Sequence, residues 1–399
     1  MKHTKFLILI ALMSVPLVAW FKDATVVMLT LSAAAVLLGQ SIKRRELIPV
    51  ILRTNSGLVF CAILIWTLTS FMWAPHFSAM AWIKGAIVIG LALVVCVGID
   101  QTPRDKLERL AIPIIYAAFG LLAVLLIERI TGGFLVGLVR DGQTTDRLLN
   151  VMNGGLVLLS GLSFPVAALL YLKTQSWRFP SFFLAICLVL TAAFRMDAVP
   201  VALAAGLLSS LLVLRWRAPA FFVVTSVIGL GALCWPVVAY LASEADFHIW
   251  FTENVHPNWG YRIAIWGRVS ELISENVLIG YGFDASRFIG ETAGLIPDAA
   301  GRTSFMHPHN GFLQIWLELG LVGVALFSAT AILSVRQTVR RAPNRQALAV
   351  AAGTITASSV IWLLSFGIWQ AWWLAALGLN VCAATLLFRL MVDVDRTHG

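Results

Sequence analysis

The chain is written in long apolar runs separated by short polar ones. Twelve such runs stand out, at residues 6–21, 24–39, 57–73, 80–99, 110–127, 151–172, 181–194, 198–214, 219–242, 311–333, 347–364 and 371–388. None alternates strictly between apolar and polar positions, so each is expected to be helical. A helix needs about 20 mostly apolar residues to cross a bilayer. In lipid, only helices and closed barrels satisfy their own backbone groups. The pattern therefore predicts an all-α polytopic membrane protein with about 12 transmembrane helices. The narrowest break is Arg195–Asp197, between the seventh and eighth runs.

Two connections are long: residues 128–150 and 243–310. Within the second, Arg262–Asn276 carries Ile263, Trp266, Val269, Leu272 and Ile273, which recur at spacings of three and, from Val269 to Ile273, four. That is an amphipathic helix. A glycine-rich turn, Gly280–Gly290, follows it. The chain thus reads as residues 1–242 with nine membrane helices, 243–310 as a loop module lying on the membrane, and 311–399 with three more helices and a tail.

Composition agrees with this class. Of 399 residues, 59% are hydrophobic and 12% charged, with a mean hydropathy of +0.87. Soluble domains carry about 25% charged residues. If the N-terminus is cytoplasmic, 19 of the 29 Lys and Arg fall on the cytoplasmic side, with only 6 of the 20 acids. The positive-inside rule then places both termini in the cytoplasm and the long loop outside. The net charge of +9 is read as topology and attraction to anionic membrane lipid, not as nucleic-acid binding. Lys2 and Lys5 before the first run also resemble a signal peptide; that run is taken as a retained first helix. All five cysteines fall inside apolar runs and no C-x-x-C occurs. Helix packing explains them better than disulfides or metal. Trp66, Trp73, Trp82, Trp250, Trp259, Trp369, Trp372 and Trp373 lie near outer run ends, where an aromatic belt is the expectation for most.

Few ionisable residues remain unexplained by topology. Arg195 sits between two apolar runs. It either snorkels to headgroups beside Asp197 or clamps an anion with its planar fork of donors. Arg262 and Arg268 share the loop helix, and Arg268 has Glu271 three residues on, a spacing that favours a surface pair. His307 and His309 flank Pro308. Histidine is the usual general base near neutral pH. A metal would need further ligands, and none is placed by spacing; His256, Asp284 and Asp298 are near only in sequence. His309 and Asn310 open the tenth run, where helix N–H groups favour an anion. Gln314 and Glu318 continue the stripe inward at a spacing of four. Glu318 is expected about two turns into the span, where a carboxylate is a functional candidate or a structural hydrogen-bond partner.

The stretch His309–Gly323, "HNGFLQIWLELGLVG", resembles the signature of O-antigen ligases: His309-Asn310, then Gly320 and Gly323. "WGRVSELISENVLIGYGFDASRF" resembles the family's preceding helix and turn, with Arg268 and Leu272 at its arginine–leucine spacing. "FRMDAVPVALAAG" resembles the helix bearing an outer arginine, though Phe194 and Met196 stand where serine and a small residue are commoner. The resemblance covers the second half of the chain; the first half matches in topology. It implies a bacterial inner-membrane, metal-independent, inverting glycosyltransferase without a cofactor. The donor would be an undecaprenyl-pyrophosphate-linked glycan and the acceptor lipid A–core or a related glycan. His309 would activate the acceptor hydroxyl. Arg195, Arg262 and Arg268 would hold pyrophosphate, and His307, Asn310 and Glu318 would join the substrate site. A repeat-unit polymerase of O-antigen or exopolysaccharide would use the same chemistry. A secondary transporter or flippase, the third reading, is expected to show internal repeats and broken helices, and the sequence shows neither clearly.

The charge asymmetry makes one direct prediction. A cysteine placed at Gly301 should be labelled by a membrane-impermeant thiol reagent in intact spheroplasts. Labelling only after lysis would reverse the topology.

Overall fold

The computed structural model describes residues 2–39, 55–76, 78–138, 140, 144–194, 198–255, 257–292 and 305–392. Arg195, with its neighbours 196–197, lies outside them, as do His256, Asp298 and Gly301. The described chain is helical throughout: α1 (Lys2–Met13), α2 (Ala24–Leu38), α3 (Asn55–Thr69), α4 (Ala79–Gln101), α5 (Arg104–Thr131), α6 (Phe134–Gly137), α7 (Thr145–Val151), α8 (Asn153–Thr174), α9 (Arg178–Ala193), α10 (Ala198–Trp216), α11 (Ala218–Glu244), α12 (Phe247–Asn254), α13 (Pro257–Glu275), α14 (Ala285–Thr292), α15 (Gly311–Arg341), α16 (Arg345–Leu364) and α17 (Ala371–Met391). Among the described residues, nine helices are long and apolar enough to cross a membrane, and three shorter apolar ones accompany them. The protein is an all-α polytopic membrane protein.

Helix α8 is the centre. Nearly every residue from Gly154 to Leu170 is buried, as expected for a helix that is apolar all round. The most extensive helix pair is α10 with α16. Its seam is small and weakly polar, which lets membrane helices approach closely. Ser210 Oγ donates to the Ala349 carbonyl at 2.9 Å, and Thr356 Oγ1 donates to Ser209 Oγ at 2.9 Å. The C-terminus of α16 is thereby fixed, and the candidate site rests on it.

Helix α15 departs from the sequence reading of one continuous span. Gly320 has φ 61° and ψ −165°, outside any helical region and strained for a residue with a Cβ. The break frees backbone groups that an apolar medium cannot satisfy. The turn after α13 supplies the missing partners. Tyr281 N–H donates to the Leu317 carbonyl at 2.8 Å and Gly282 N–H to the Glu318 carbonyl at 2.7 Å. In return, Leu321 N–H donates to the Val277 carbonyl at 2.8 Å and Val322 N–H to that of Leu278 at 3.3 Å. Trp66 Nε1 donates to the Leu319 carbonyl at 3.1 Å. The turn thus replaces the two i→i−4 bonds that the break removes. From Leu321 to Arg341 the helix still runs about 31 Å at about 1.5 Å per residue, the thickness of a hydrocarbon core. Glu318 therefore lies on the short stretch before the break, two residues from Gly320.

The aromatic-belt expectation also needs correction at two positions. Trp372 and Trp373 are 4% and 1% exposed, packed into the bundle rather than facing headgroups.

The interlock at Gly320 and Gly280 is tight enough to test. A Cβ on Gly320 would sit 2.5 Å from the Leu278 carbonyl, and one on Gly280 2.6 Å from Glu318 backbone. Gly320→Ala or Gly280→Ala should lower folded yield and thermal stability sharply. Gly90→Ala, where a Cβ meets nothing within 4 Å, should be neutral or slightly stabilising, by up to about 1 kcal/mol.

Candidate functional site

The segment Phe305–Asn310 enters α15 over the buried face of α13. Trp266 Nε1 donates to the Pro308 carbonyl at 2.8 Å, so the amphipathic helix holds the His-Pro-His stretch directly. His309 has φ 53°, a left-handed conformation uncommon in residues other than glycine. Its N–H donates to His307 Nδ1 at 3.2 Å, which closes the turn. Asn310 is fully buried, and its Oδ1 accepts from the N–H groups of Phe312 and Leu313, each at 3.0 Å. This is an N-cap. The amides that the sequence reading turned toward an anion are thus filled by Asn310 itself.

The C-terminus of α16 forms the floor. Helix ends leave carbonyls without intrahelical donors. Here Arg262 Nη1 donates to the Leu364 carbonyl at 2.8 Å, and His309 Nδ1 lies 2.9 Å from the Ser365 carbonyl. A carbonyl only accepts, so Nδ1 carries the proton and the lone pair of neutral His309 is on Nε2. His307 is the opposite tautomer, because its Nδ1 accepts from a backbone N–H. Its ring centroid lies 4.4 Å from that of His309, at 58°. Burial first, and then the neighbouring His309, Arg287, Arg262 and Lys22, together hold the His307 pKa down to about 3. His307 is therefore neutral throughout the physiological range. Gln370 Nε2 is 3.4 Å from its Nε2.

The same set of charges surrounds the pair. Arg262 lies over the Trp259 ring, 4.9 Å from its centroid. Lys22 lies 5.2 Å from the Trp372 centroid. Arg287 pairs with Asp284 at 3.1 Å, with its side chain 53% exposed. Sequence reasoning passed over both Arg287 and Lys22. Arg287 is the one cation in the Gly280–Gly290 turn, and Lys22 is a lysine on the side expected to be poor in them; those were the available signals. Arg268 is placed differently, in a 2.7 Å pair with Glu271 on the exposed face of α13.

Glu318 lies beneath, with no exposure. Its carboxylate accepts from Ser286 Oγ at 2.6 Å, Gln314 Nε2 at 2.8 Å, Asp284 N–H at 3.0 Å and Trp369 Nε1. Gln314 Oε1 accepts from Ile368 N–H at 2.9 Å. The carboxylate thus ties the turn bearing Arg287 to the loop bearing Gln370. Among the described residues, no three of His, Cys, Asp and Glu converge as a metal-holding group.

Beside the site is an apolar cavity of about 240 Å³ between α3, α4, α15 and α17. Phe283, Ile368 and Trp369 line its near end, next in sequence to Asp284 and Gln370. Phe60, Ala331 and Leu377 lie deeper along the helices.

With this geometry described, comparison with known proteins is informative. Residues 179–328 match the family model described as O-antigen ligase. A protein of Rickettsia conorii named "Putative polysaccharide ligase" is 28% identical over 285 residues, 69% of this chain and 66% of its own length. A protein of the same name from Rickettsia bellii is 29% identical over 168 residues, 41% of this chain and 40% of its own. The matches therefore span just under two thirds of the first relative and two fifths of the second. No solved structure matches. Residues 179–328 are thus similar to the O-antigen ligase family, and the chain is similar to proteins named as polysaccharide ligases.

Two substitutions separate the histidine backbone from its ring. A Cβ in the left-handed region costs roughly 1–2 kcal/mol, which glycine avoids. His309→Gly should be at least as thermostable as His309→Ala, while both lose activity. His307→Asn, whose side-chain oxygen can replace Nδ1 as acceptor, should keep more activity than His307→Ala. Equal activity in those two variants would remove the turn-closing role.

Proposed function

We propose that the protein transfers a glycan from a polyprenyl pyrophosphate to a sugar hydroxyl, at the outer face of the inner membrane. The observation that carries this is the juxtaposition of an apolar, helix-walled cavity with a histidine and three cations. A polyprenyl tail suits the cavity, and its pyrophosphate then meets Arg262, Arg287 and Lys22. Guanidinium groups match phosphate oxygens in charge and shape. Arg195 remains a proposed fourth contact on sequence grounds alone. Similarity to proteins named as polysaccharide ligases supports the polysaccharide substrate class.

In the proposed step, His309 Nε2 takes the proton of the acceptor hydroxyl. The hydroxyl oxygen forms a bond to the anomeric carbon from the face opposite the leaving group. The carbon–oxygen bond to pyrophosphate breaks, the pyrophosphate keeps the electron pair, and the anomeric configuration inverts. The cations stabilise the charge that develops on the leaving oxygen. His307, Asn310 and Glu318 act by holding this geometry. The buried Asn310 and Glu318 favour that role over substrate contact. The reaction needs no metal, so transfer should continue undiminished in EDTA. The preferred acceptor is lipid A–core, as in a ligase.

A deletion strain distinguishes the acceptor. Free lipid-linked polymer with unmodified core on a gel supports the ligase; core capped by one unit indicates a polymerase; an unchanged profile with altered uptake indicates a transporter. The cavity supplies a variant. Gly85 lies on its wall, and a Cβ there meets only Leu374, at 3.5 Å. Gly85→Phe should fold normally yet lose most transfer, with KM for the lipid donor raised. Arg262→Gln and Arg287→Gln should each lose at least about tenfold, since hydrogen bonds to charged groups contribute roughly 1.5–3 kcal/mol.

A further inference from the structure

A second cavity lies at the other end of the bundle. It has a volume of about 550 Å³ and is lined by Arg217, Asn344, Arg345 and Gln346, with Ala218 and Leu348 among its apolar walls. It sits where α10 turns into α11 and α15 into α16. Both turns are short, and each delivers one arginine to the cavity. Among the described residues, no carboxylate lines it. Among the described residues, Arg341 at the end of α15 pairs with Asp100 at 4.0 Å.

Three features go beyond a positive-inside surplus. The first is the cavity itself, since a topology signal needs charge but no concave site. The second is its lining, two guanidinium groups with two amide side chains, able to donate several hydrogen bonds to one group of oxygens. The third is what surrounds it. Trp216 and Phe222 flank the first turn and are 55% and 43% exposed. Large exposed apolar side chains beside a cationic pocket place it at the boundary between headgroups and hydrocarbon. Arg217 also has φ 56° and ψ −137°, an unusual backbone for arginine that aims this residue away from the regular helix path. Basic pockets between helices at such a boundary suit phosphate-bearing headgroups.

We propose that this cavity is a binding site for a phosphate monoester or diester group, held by Arg217 and Arg345 and supplied by an anionic membrane phospholipid. It is separate from the glycan-transfer site and does not depend on that reading. A free phosphate could offer the same chemistry, so the test includes it.

The protein is purified in a neutral detergent, and retained lipid is measured by native mass spectrometry after adding phosphatidylglycerol or phosphatidylcholine. Thermal stability is followed in parallel with each lipid and with inorganic phosphate. Selective retention of phosphatidylglycerol is expected, with a rise in melting temperature. In Arg217→Gln/Arg345→Gln that affinity should fall about 30-fold, from about fivefold for each cation near an anionic headgroup. The same change at Arg104 and Arg109, at the same expected face, should leave it within about twofold. Stabilisation by inorganic phosphate alone, without lipid selectivity, would overturn the lipid assignment. Equal losses in both double variants, or equal retention of the two lipids, would overturn the site. The melting temperature of each variant without added lipid, compared with the wild type, serves as the folding control.

Discussion

The structure depends on one exchange of hydrogen bonds. At Gly320 the helix carrying the proposed chemistry is interrupted, and the turn Val277–Gly282 takes up the groups this exposes. An unsatisfied buried polar group costs roughly 1–3 kcal/mol, and four backbone groups of α15 are matched here by the turn. That cost makes the interlock obligatory. It fixes the loop module against the bundle, because the turn can satisfy the break in only one register. Asp284 and Arg287 follow within a few residues, so their positions are set by the break.

Glu318 extends the same constraint sideways. It is adjacent to the break, and its side chain gathers donors from the turn, from its own helix and from the loop before α17. The Ser365 carbonyl that orients His309 begins that loop. The turn bearing Arg287, the loop leading from Ser365 and the roof of the apolar cavity therefore meet in one buried network. A broken membrane helix is also a device of transporters, where the freed groups face a substrate or ion. Here they are bound within the chain, and the break positions a site built from side chains.

Much of this was legible in the sequence, for physical reasons. The runs are long and uniform in polarity, so the all-α polytopic class followed from pattern alone; of the 12 expected spans, nine described helices are long enough to cross a membrane and three apolar ones are shorter. His307, His309 and Asn310 are neighbours in sequence, so their meeting needed no knowledge of the fold. Glu318 was visible as a carboxylate in an apolar run. The break beside it was not legible, because a glycine inside an apolar run gives no sign that the helix is interrupted there. The partner of Arg262 is a backbone carbonyl 102 residues away, and no side-chain pattern announces a carbonyl. Arg287 stands three residues after Asp284, and nothing in that spacing pointed to the histidines. Arg268 showed the same pattern, and in its case an exposed pair is what forms.

The central claim is that neutral His309 acts as a base on a lipid-linked donor. The most direct measurement is the pH dependence of single-turnover glycan transfer by the purified protein, using a synthetic polyprenyl-pyrophosphate glycan and a defined acceptor. His307 is already neutral above about pH 3, so its titration cannot shape the profile in the working range. The account predicts a rate that falls as pH drops through a single protonation, with one polyprenyl pyrophosphate released per glycosidic bond formed. A rate that rises toward acid pH would contradict it and make His309 a cationic ligand of the pyrophosphate instead.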